Sequence, residues 1–245
     1  MNAQKSRPRA LVTGASHGIG LEVCHQLARQ GMTVILGARD LAKAEAAAES
    51  LAKEGGDVRA RRLDVTDDQS IEQARRFAAD ELGGLDVLVN NAASGFDFGD
   101  KALDVDFGRV REALETNLFG AWRMIRAFAP LIAQSRRGRI VNVSSGAGSF
   151  EDTQFGLIAR GSEIPAYGIS KAALNALTVK LAADLKETGI LVNAVCPGLT
   201  ATWPGAEAMG ARPVPEGAAG IVWAATLPDG GPTGGLFRDG KPLLW

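Results

Sequence analysis

Short apolar runs alternate with longer segments of mixed polarity along the whole chain. Seven runs predict strands of a mostly parallel sheet, whose buried strands are apolar on both faces; they lie at 9–13, 33–37, 58–63, 85–89, 138–143, 190–196 and 235–237. Helices are predicted between them, several followed by glycine; they lie at 21–30, 41–53, 67–82, 104–134, 167–187 and 216–226. This alternation predicts an α/β fold, and the lack of a low-complexity linker indicates one domain over residues 1–245.

A glycine-rich turn follows the first predicted strand, with glycines at positions 14, 18 and 20. Glycines let the main chain approach a pyrophosphate, and the helix that follows supplies free N–H groups and a positive dipole end. Three residues separate the first two glycines, so the spacing differs from the common G-x-G-x-x-G. Glycines at such a turn can also be purely conformational. Strand, turn and helix together predict a dinucleotide-binding site.

The end of the second predicted strand bears on which dinucleotide would bind. In dinucleotide-binding folds an acidic residue here holds the adenosine ribose, whereas an arginine meets a 2′-phosphate. Ala38 stands where that acid is expected, and Arg39 follows it. This pattern favours NADPH over NADH. The alternative is that Arg39 is a solvated loop charge and that Asp40 caps the next helix.

Polar residues follow three further strands, at the sheet edge where parallel sheets bind ligands. Asp64, followed by Val65, is placed either to meet an adenine amino group or to cap the next helix. Asn91 and Ala92 follow the fourth strand, where small and amide residues allow close approach of the main chain. Ser145 follows the fifth strand, and its hydroxyl can donate to a substrate carbonyl oxygen.

Tyr167 and Lys171 open a predicted helix four residues apart, so their side chains point the same way from adjacent turns. A free phenol ionises near pH ~10, and a neighbouring positive charge lowers that pKa. The pair can act as an acid/base device, but this spacing is also typical of a packed ring beside a solvated charge. A cofactor site, a substrate holder and a proton path elsewhere in the chain favour the first interpretation.

Two other segments depart from local rules. Asn117 lies inside the helix predicted at 104–134, where an amide competes for main-chain hydrogen bonds; it indicates either a functional site or a polar helix face. The segment 199–215 is rich in Gly and Pro and predicts either a substrate lid or an exposed loop. Phe96 and Phe98 lie in a predicted loop at 94–103. Their side chains are expected either to line the entrance of a substrate site or to close over the core.

Composition excludes several classes of protein. The net charge is -1 with both signs interspersed, which predicts no nucleic-acid partner and no membrane-surface patch. No apolar run approaches the ~20 residues that span a bilayer, and residues 1–9 lack the apolar core of a secretory signal. Two distant cysteines fit a reducing compartment, so a cytoplasmic location is expected. With two histidines in the chain, no metal site is predicted.

Taken in order, these motifs resemble the short-chain dehydrogenase/reductase family in its single-domain branch, and the match covers nearly the whole chain. The motifs are Thr13-Gly14 to Gly18-Ile19-Gly20, Asp64-Val65, Asn90-Asn91-Ala92, Asn117, Ser145, Tyr167 with Lys171, and Pro197-Gly198. The chain departs from the family at Ala93, where Gly is usual. Its connection from Ser145 to Tyr167 is longer than common and is similar to the insertion of carbonyl reductases. The resemblance implies a doubly wound Rossmann fold, with a seven-stranded, mostly parallel sheet and helices on both faces.

The resemblance also implies catalytic roles for four residues. Tyr167 would donate a proton in reduction and accept one in oxidation. Lys171 would lower the pKa of Tyr167 and bind the nicotinamide ribose, and Ser145 would hold the carbonyl oxygen. Asn117 would anchor a water that links Lys171 to solvent.

The family pattern implies a cofactor site as well. Arg39 would meet the 2′-phosphate, Asn91 the adenosine-side ribose region and Thr202 the carboxamide, while His17 offers only a partial charge at neutral pH. The predicted cofactor-binding residues are Gly14, Ser16, His17, Gly18, Ile19, Arg39, Asp64, Val65, Asn91, Ala92, Tyr167, Lys171, Pro197, Gly198 and Thr202.

The expected activity is NADPH-dependent reduction of a ketone or aldehyde, with NAD as another possible cofactor and a small carbonyl or alcohol as substrate. The alternatives are a 3-oxoacyl reductase or an NAD-dependent secondary alcohol dehydrogenase. A non-catalytic dinucleotide-binding regulator would tend to have lost Tyr167, Lys171 or Ser145. A homo-oligomer is the default, and a monomer is expected if residues 147–165 fold across the family's dimer face.

Overall fold

A computed structural model describes residues 7–245 as a central eight-stranded sheet flanked by helices. The strands are β1 (Arg9–Thr13), β2 (Thr33–Ala38), β3 (Asp57–Arg62), β4 (Val87–Asn90), β5 (Arg139–Val143), β6 (Leu191–Val195), β7 (Leu236–Arg238) and β8 (Lys241–Pro242). Their order in the sheet is β3-β2-β1-β4-β5-β6-β7-β8. All neighbouring strands are parallel except β7 and β8, which form an antiparallel pair.

The helices lie on both faces of this sheet. They are α1 (Gly18–Arg29), α2 (Leu41–Lys53), α3 (Asp68–Asp80), α4 (Phe107–Leu114), α5 (Ala121–Ile132), α6 (Pro165–Asp184) and α7 (Val214–Ala225). A π-helical turn at Glu115–Gly120 joins α4 to α5. Within residues 7–245, none of the helices is both long and apolar enough to cross a lipid bilayer.

Successive strand residues point into two separate cores, as the alternation of side chains along a strand requires. Val12 lies in the core that β1 forms with α1, α2 and α7. Leu11 lies in the opposite core, together with residues of α3 and α5 such as Ile71 and the fully buried Phe128. The prediction of a doubly wound Rossmann fold with helices on both faces is therefore confirmed.

The chain changes direction across the sheet at β1, whose neighbours are β2 on one side and β4 on the other. From β1 the chain first adds β2 and β3, and then returns to add β4 and the later strands beyond β1. Such a reversal opens a crevice beyond the carboxyl ends of the two central strands, where open α/β sheets bind ligands.

The structure differs from the prediction in the number of strands and in several helix and strand ends. The sheet has eight strands rather than seven, because the two-residue β8 is too short to give a hydropathy pattern. The helix predicted from residue 104 begins at Phe107, capped by Asp106, and is interrupted by the π turn. The helix predicted from residue 167 is α6, which begins at Pro165. Proline suits the first helical position because it lacks an N–H group, and an N–H there would have no intrahelical acceptor.

Candidate active site

The glycine-rich turn after β1 is joined to the loop after β4 by direct hydrogen bonds. The Thr13 hydroxyl accepts from the N–H groups of Asn91 and Ala92, each at 3.0 Å. Asn91 Nδ2 donates to the carbonyl oxygens of Thr13 at 2.9 Å and Gly14 at 3.1 Å. The Asn91 amide thus supports the turn, and its predicted contact with the adenosine-side ribose stays a prediction.

Gly14 cannot be replaced without disturbing this junction. Its φ of 63° lies in the left-handed region, and a Cβ there would approach the Cα of Ala92 to 2.8 Å. Gly18, further along the same motif, lies next to Thr202: a Cβ at position 18 would be 3.5 Å from Thr202 Cγ2. The segment 199–215 therefore reaches back to the glycine-rich turn, on which Ser16 and the exposed His17 also lie.

The start of α1 is suited to an anion. Within Gly18–Arg29 the first turn contains no acidic residue, and His17 at the N-cap makes no capping bond with its side chain. The N–H groups of Gly18 and Ile19 thus belong to the first helical turn, where N–H groups have no intrahelical partner and the helix dipole is positive. A dinucleotide phosphate fits this chemistry, as the sequence predicts.

The ends of β2 and β3 bring Arg39 and Asp64 together. Arg39 is exposed, and Asp40 caps α2 by accepting from the Lys43 N–H at 3.2 Å. Burial opposes ionisation of Asp64, but hydrogen bonds from Thr66 and the charge of Arg39 outweigh it and lower its pKa. Asp64 is not the helix cap that one interpretation offered, because Asp67 caps α3.

Val65, the partner of Asp64 in the predicted motif, is buried beside the π turn. Its Cγ2 would lie 2.7 Å from a Cβ at Gly120. Val65 thus fixes the distance between the end of β3 and the helix that carries Asn117.

Ser145 follows β5 and begins a short 3-10 turn over Gly146–Gly148. Its hydroxyl accepts from the Ala147 N–H at 3.1 Å, which leaves its O–H as a donor on the side of Tyr167. The turn lies directly on α6, since a Cβ at Gly148 would come within 2.5 Å of the Lys171 carbonyl carbon. Glycine at position 148 therefore allows Ser145 to sit beside the Tyr167 helix.

Tyr167 lies close to both Ser145 and Lys171. The Lys171 Nζ is 5.5 Å from the centroid of the Tyr167 ring. Burial raises the pKa of Tyr167 above its usual range, and a hydrogen bond with the Ser145 side chain only partly offsets this. The sequence predicts a lowered pKa, whereas burial shifts the pKa of Tyr167 in the opposite direction.

Lys171 is almost completely buried next to the end of β5. Its Nζ donates to the Val143 carbonyl oxygen at 2.8 Å, at the last residue of β5. Burial disfavours the ammonium and lowers the pKa of Lys171 to about 8. Its ionisation is therefore sensitive to pH close to neutrality.

Asn117 lies within the π turn and is buried, so it is not on an exposed polar helix face. Its Oδ1 accepts from the Ser94 N–H at 2.9 Å, and its Nδ2 donates to the Ser94 carbonyl at 3.1 Å and to Ser170 Oγ at 2.9 Å. Ser170 Oγ in turn donates to the Tyr167 carbonyl at 2.8 Å. One amide thus connects the π turn, the loop after β4 and the first turns of α6. Such π turns are frequent at functional sites.

The segment 199–215 leaves the sheet through Pro197 and Gly198. Gly198 has a φ of 72°, and the Arg212 Nε donates to the Pro197 carbonyl at 2.7 Å. A bridge between Thr200 and Arg212 closes the base of the segment. The segment is therefore a loop with a fixed base, and Thr202 near its start is exposed.

Ala93, where the family usually has Gly, is exposed and has a negative φ. Its methyl group thus needs no special main-chain conformation.

Two residues next to the site had no sequence signal. Asp97 is completely buried and accepts from the N–H groups of Ala166 and Tyr167, at 2.7 and 3.2 Å. Cys196 Sγ accepts from the Gly146 N–H at 3.1 Å and from the Arg238 guanidinium at 3.3 Å. Both contacts join residues far apart in the chain, so no local pattern could predict them.

The fold and the site together define a dinucleotide-type α/β protein with a Ser–Tyr–Lys group beyond its central strands. The family model for short chain dehydrogenases matches residues 8–209. The chain belongs to the short-chain dehydrogenase/reductase family, a family of oxidoreductases, and the resemblance predicted from its motifs is confirmed.

Several known proteins are similar over nearly the whole chain. Carbonyl reductase (NADPH) 1 of Mus musculus is 35% identical, with 98% of this chain and 99% of that protein covered. Short-chain dehydrogenase/reductase 1 of Saponaria officinalis is also 35% identical, with 92% of each covered. The solved structure of salutaridine reductase from Papaver somniferum has a TM-score of 0.80 and 30% identity, and covers 95% of this chain and 100% of that chain. The predicted similarity to carbonyl reductases is thus also confirmed.

Proposed function

We propose that this protein reduces a ketone or aldehyde to an alcohol, with NADPH as the hydride donor. The observation that carries the proposal is the juxtaposition of Ser145, Tyr167 and Lys171 beside a crevice whose α1 N-terminus suits a phosphate. Similarity to a carbonyl reductase whose name specifies NADPH adds support.

Tyr167 acts as the proton donor. A phenol whose pKa is raised by burial stays protonated at neutral pH, so a proton is available for the oxygen of a carbonyl as it becomes an alkoxide. This protonation state favours reduction, because oxidation of an alcohol needs the phenolate. Ser145, next to Tyr167, donates a second hydrogen bond to the same oxygen and so stabilises its developing charge.

Lys171 and Asn117 support this proton transfer. The Lys171 ammonium contributes positive charge close to the Tyr167 ring and would bind the nicotinamide ribose. Asn117 fixes the main chain that carries both residues, through Ser170. A water held near Asn117 would restore the proton of Tyr167 by way of Lys171.

The nicotinamide dinucleotide, when bound, supplies the hydride. Gly14, Ser16, His17, Gly18 and Ile19 would surround its pyrophosphate at the start of α1. Asp64, Val65, Asn91 and Ala92 would lie along its adenosine half, and Pro197, Gly198 and Thr202 along its nicotinamide half. The exposed Arg39 would pair with a 2′-phosphate, which supports NADPH over NADH.

The test is NADPH consumption with a panel of aldehydes, simple ketones, diketones and a 3-oxoacyl thioester, each repeated with NADH. We expect turnover of at least one carbonyl, faster with NADPH. Faster turnover of the thioester than of the other carbonyl compounds would indicate that the protein is a 3-oxoacyl reductase. Cofactor binding without turnover of any carbonyl would contradict the proposal and favour a regulatory protein.

We further propose a homodimer. An apolar groove on α5, α6 and the adjoining π turn is lined by Leu118, Trp122, Leu177 and Leu181, together with the charged Lys180 and Asp184. Exposed apolar surface of this kind favours association, and charged side chains of both signs can pair with those of a second copy across a two-fold axis.

The connection at 147–165 leaves this groove open. It contacts the loop after β4 instead. There the main chains of Lys101 and Glu163 form an antiparallel β-bridge, and the Ala102 N–H donates to the Ser162 carbonyl at 3.0 Å. The condition for a monomer is therefore not supported. The two buried, unpaired cysteines of the described chain agree with the proposed cytoplasmic location.

A further inference from the structure

Three exposed aromatic rings form a continuous row beside Tyr167. Phe96 and Phe98, on the loop after β4, are 51% and 68% exposed, and Trp203, on the segment 199–215, is 40% exposed. Their ring centroids are 6.2 Å apart from Trp203 to Phe98 and 6.2 Å from Phe98 to Phe96. We call these three side chains the aromatic wall.

The aromatic wall ends on the reacting group itself. The Phe96 ring stacks on the Tyr167 ring, with centroids 4.8 Å apart and planes inclined by 27°. Phe96 and Phe98 are nearly parallel, at 9°. The wall therefore extends from the proposed proton donor outward, and it carries only aromatic faces and edges. Large apolar side chains grouped in this way at a loop mouth mark a binding surface.

Asp97 holds this wall against α6. It lies between Phe96 and Phe98 in sequence and is completely buried, and its carboxylate accepts from the Ala166 and Tyr167 N–H groups at 2.7 and 3.2 Å. These are the second and third residues of the helix, the N–H groups that a capping side chain normally satisfies.

The helix has no cap of its own at this end. Ile164 occupies the N-cap position, has no capping side-chain bond and lies in the left-handed region with a φ of 47°. A carboxylate from a different loop supplies the missing acceptor. The main chain of Tyr167 and the loop that carries Phe96 and Phe98 are thereby fixed to one another.

We infer that the aromatic wall is the substrate-selecting surface of the protein, and that it takes ketones whose carbonyl is attached to a flat, apolar ring system. A planar ring placed along the wall gains stacking and apolar burial while its carbonyl reaches Tyr167. Asp97 is a positioning residue, which acts by keeping the wall in register with Tyr167. This inference rests on the proposed reductase activity and specifies its substrate class.

The test compares two ketones, 2-acetylnaphthalene and butan-2-one, by their ratio of kcat/KM with NADPH. In Phe98→Ala and Trp203→Ala we expect this ratio to fall about tenfold, because 2-acetylnaphthalene loses a stacking surface whereas butan-2-one has no ring to stack. Leu103→Ala is the matched control, because Leu103 is an apolar residue of the same loop that is 99% exposed and outside the wall. It should leave the ratio unchanged.

Asp97→Asn keeps the shape of the side chain but removes its charge and one acceptor. We expect the ratio to fall about threefold at a temperature where circular dichroism shows the variant to be folded. An equal fall for both ketones would mean that Asp97 supports only the fold, and would overturn its positioning role.

The remaining outcomes separate the two proposals. If the unmodified protein reduces both ketones and the ratio is unchanged in Phe98→Ala and Trp203→Ala, the aromatic wall is overturned and the reductase activity stands. If the unmodified protein reduces no carbonyl at all, the proposed function fails, and the inference about its substrates fails with it.

Discussion

The side-chain amide of Asn117 donates to Ser170 Oγ at 2.9 Å, which ties the π turn to the residue directly before Lys171. The same amide exchanges two hydrogen bonds with the main chain of Ser94. Asn117 is thus the point at which the loop after β4 and the start of α6 are held together.

Replacing Asn117 with Ala should affect both stability and turnover. The change leaves the Ser94 N–H and carbonyl without a partner and removes the hydrogen bond that the Ser170 hydroxyl accepts. We expect this to cost about 2–3 kcal/mol of unfolding free energy. Because Lys171 then loses its support, kcat should fall by more than about tenfold at a temperature where the variant is folded. Urea unfolding and NADPH-consumption assays measure the two effects.

Gln134→Ala provides the control, since Gln134 is an exposed amide whose Nε2 bonds only the Pro130 carbonyl of its own helix end. It should be neutral in both measurements. Normal kcat in Asn117→Ala would show that the connection through Ser170 does not serve the reaction.

Much of the fold and most of the candidate site could be predicted from sequence because their signals are local. Apolar runs mark the strands, and Tyr167 and Lys171 are only one helical turn apart. Asn117 could be singled out because an amide is unfavourable inside an α-helix; the π turn, which explains it, depends on bonds to the distant Ser94 and Ser170.

The parts that could not be predicted depend on contacts between distant segments. Asp97 looks like any loop carboxylate until the fold brings it to the start of α6. The direction of the Tyr167 pKa shift could not be predicted for a similar reason, because it comes from burial of the phenol in the assembled structure. Strand β8 was not predicted because its two residues are too few to show an alternation of apolar and polar side chains.

Arg39→Asp should reverse the cofactor preference. The substitution places a carboxylate where a 2′-phosphate would bind, so NADPH should bind at least about tenfold more weakly while NADH binding improves. Fluorescence titration of both cofactors gives the two Kd values. Arg126→Asp makes the same charge change at an exposed position of α5 and should alter neither of the two Kd values. An unchanged preference in Arg39→Asp would identify Arg39 as a surface charge only.

Cofactor affinity should depend on pH through Lys171. Its pKa is lowered to about 8, so its ammonium predominates below that pH and is lost as the pH rises through it. Loss of a charge-assisted hydrogen bond to the ribose should weaken NADPH binding by about tenfold between pH 7 and 9.5. In Lys171→Met, binding should be weaker at pH 7 and the profile flat. If NADPH affinity falls equally with pH in the unmodified protein and in Lys171→Met, Lys171 is not the group that causes the pH dependence.

Light scattering should give twice the chain mass of 25.6 kDa. Trp122 lines the apolar groove on α5 and α6 and is 42% exposed, so Trp122→Glu should place a charge in the dimer interface and yield monomers. Phe150→Glu, at another exposed aromatic position, should remain dimeric. A monomeric unmodified protein would contradict the proposed association.

The central claim is that the Tyr167 hydroxyl transfers the proton, and Tyr167→Phe tests it at a single atom. The ring remains, so its stacking with Phe96 is kept and NADPH should bind with a Kd within about twofold of that of the unmodified protein. The rate of carbonyl reduction should fall by about 10³-fold, because the proton donor is absent. A variant that binds NADPH normally and retains more than about a tenth of the original kcat would contradict this account.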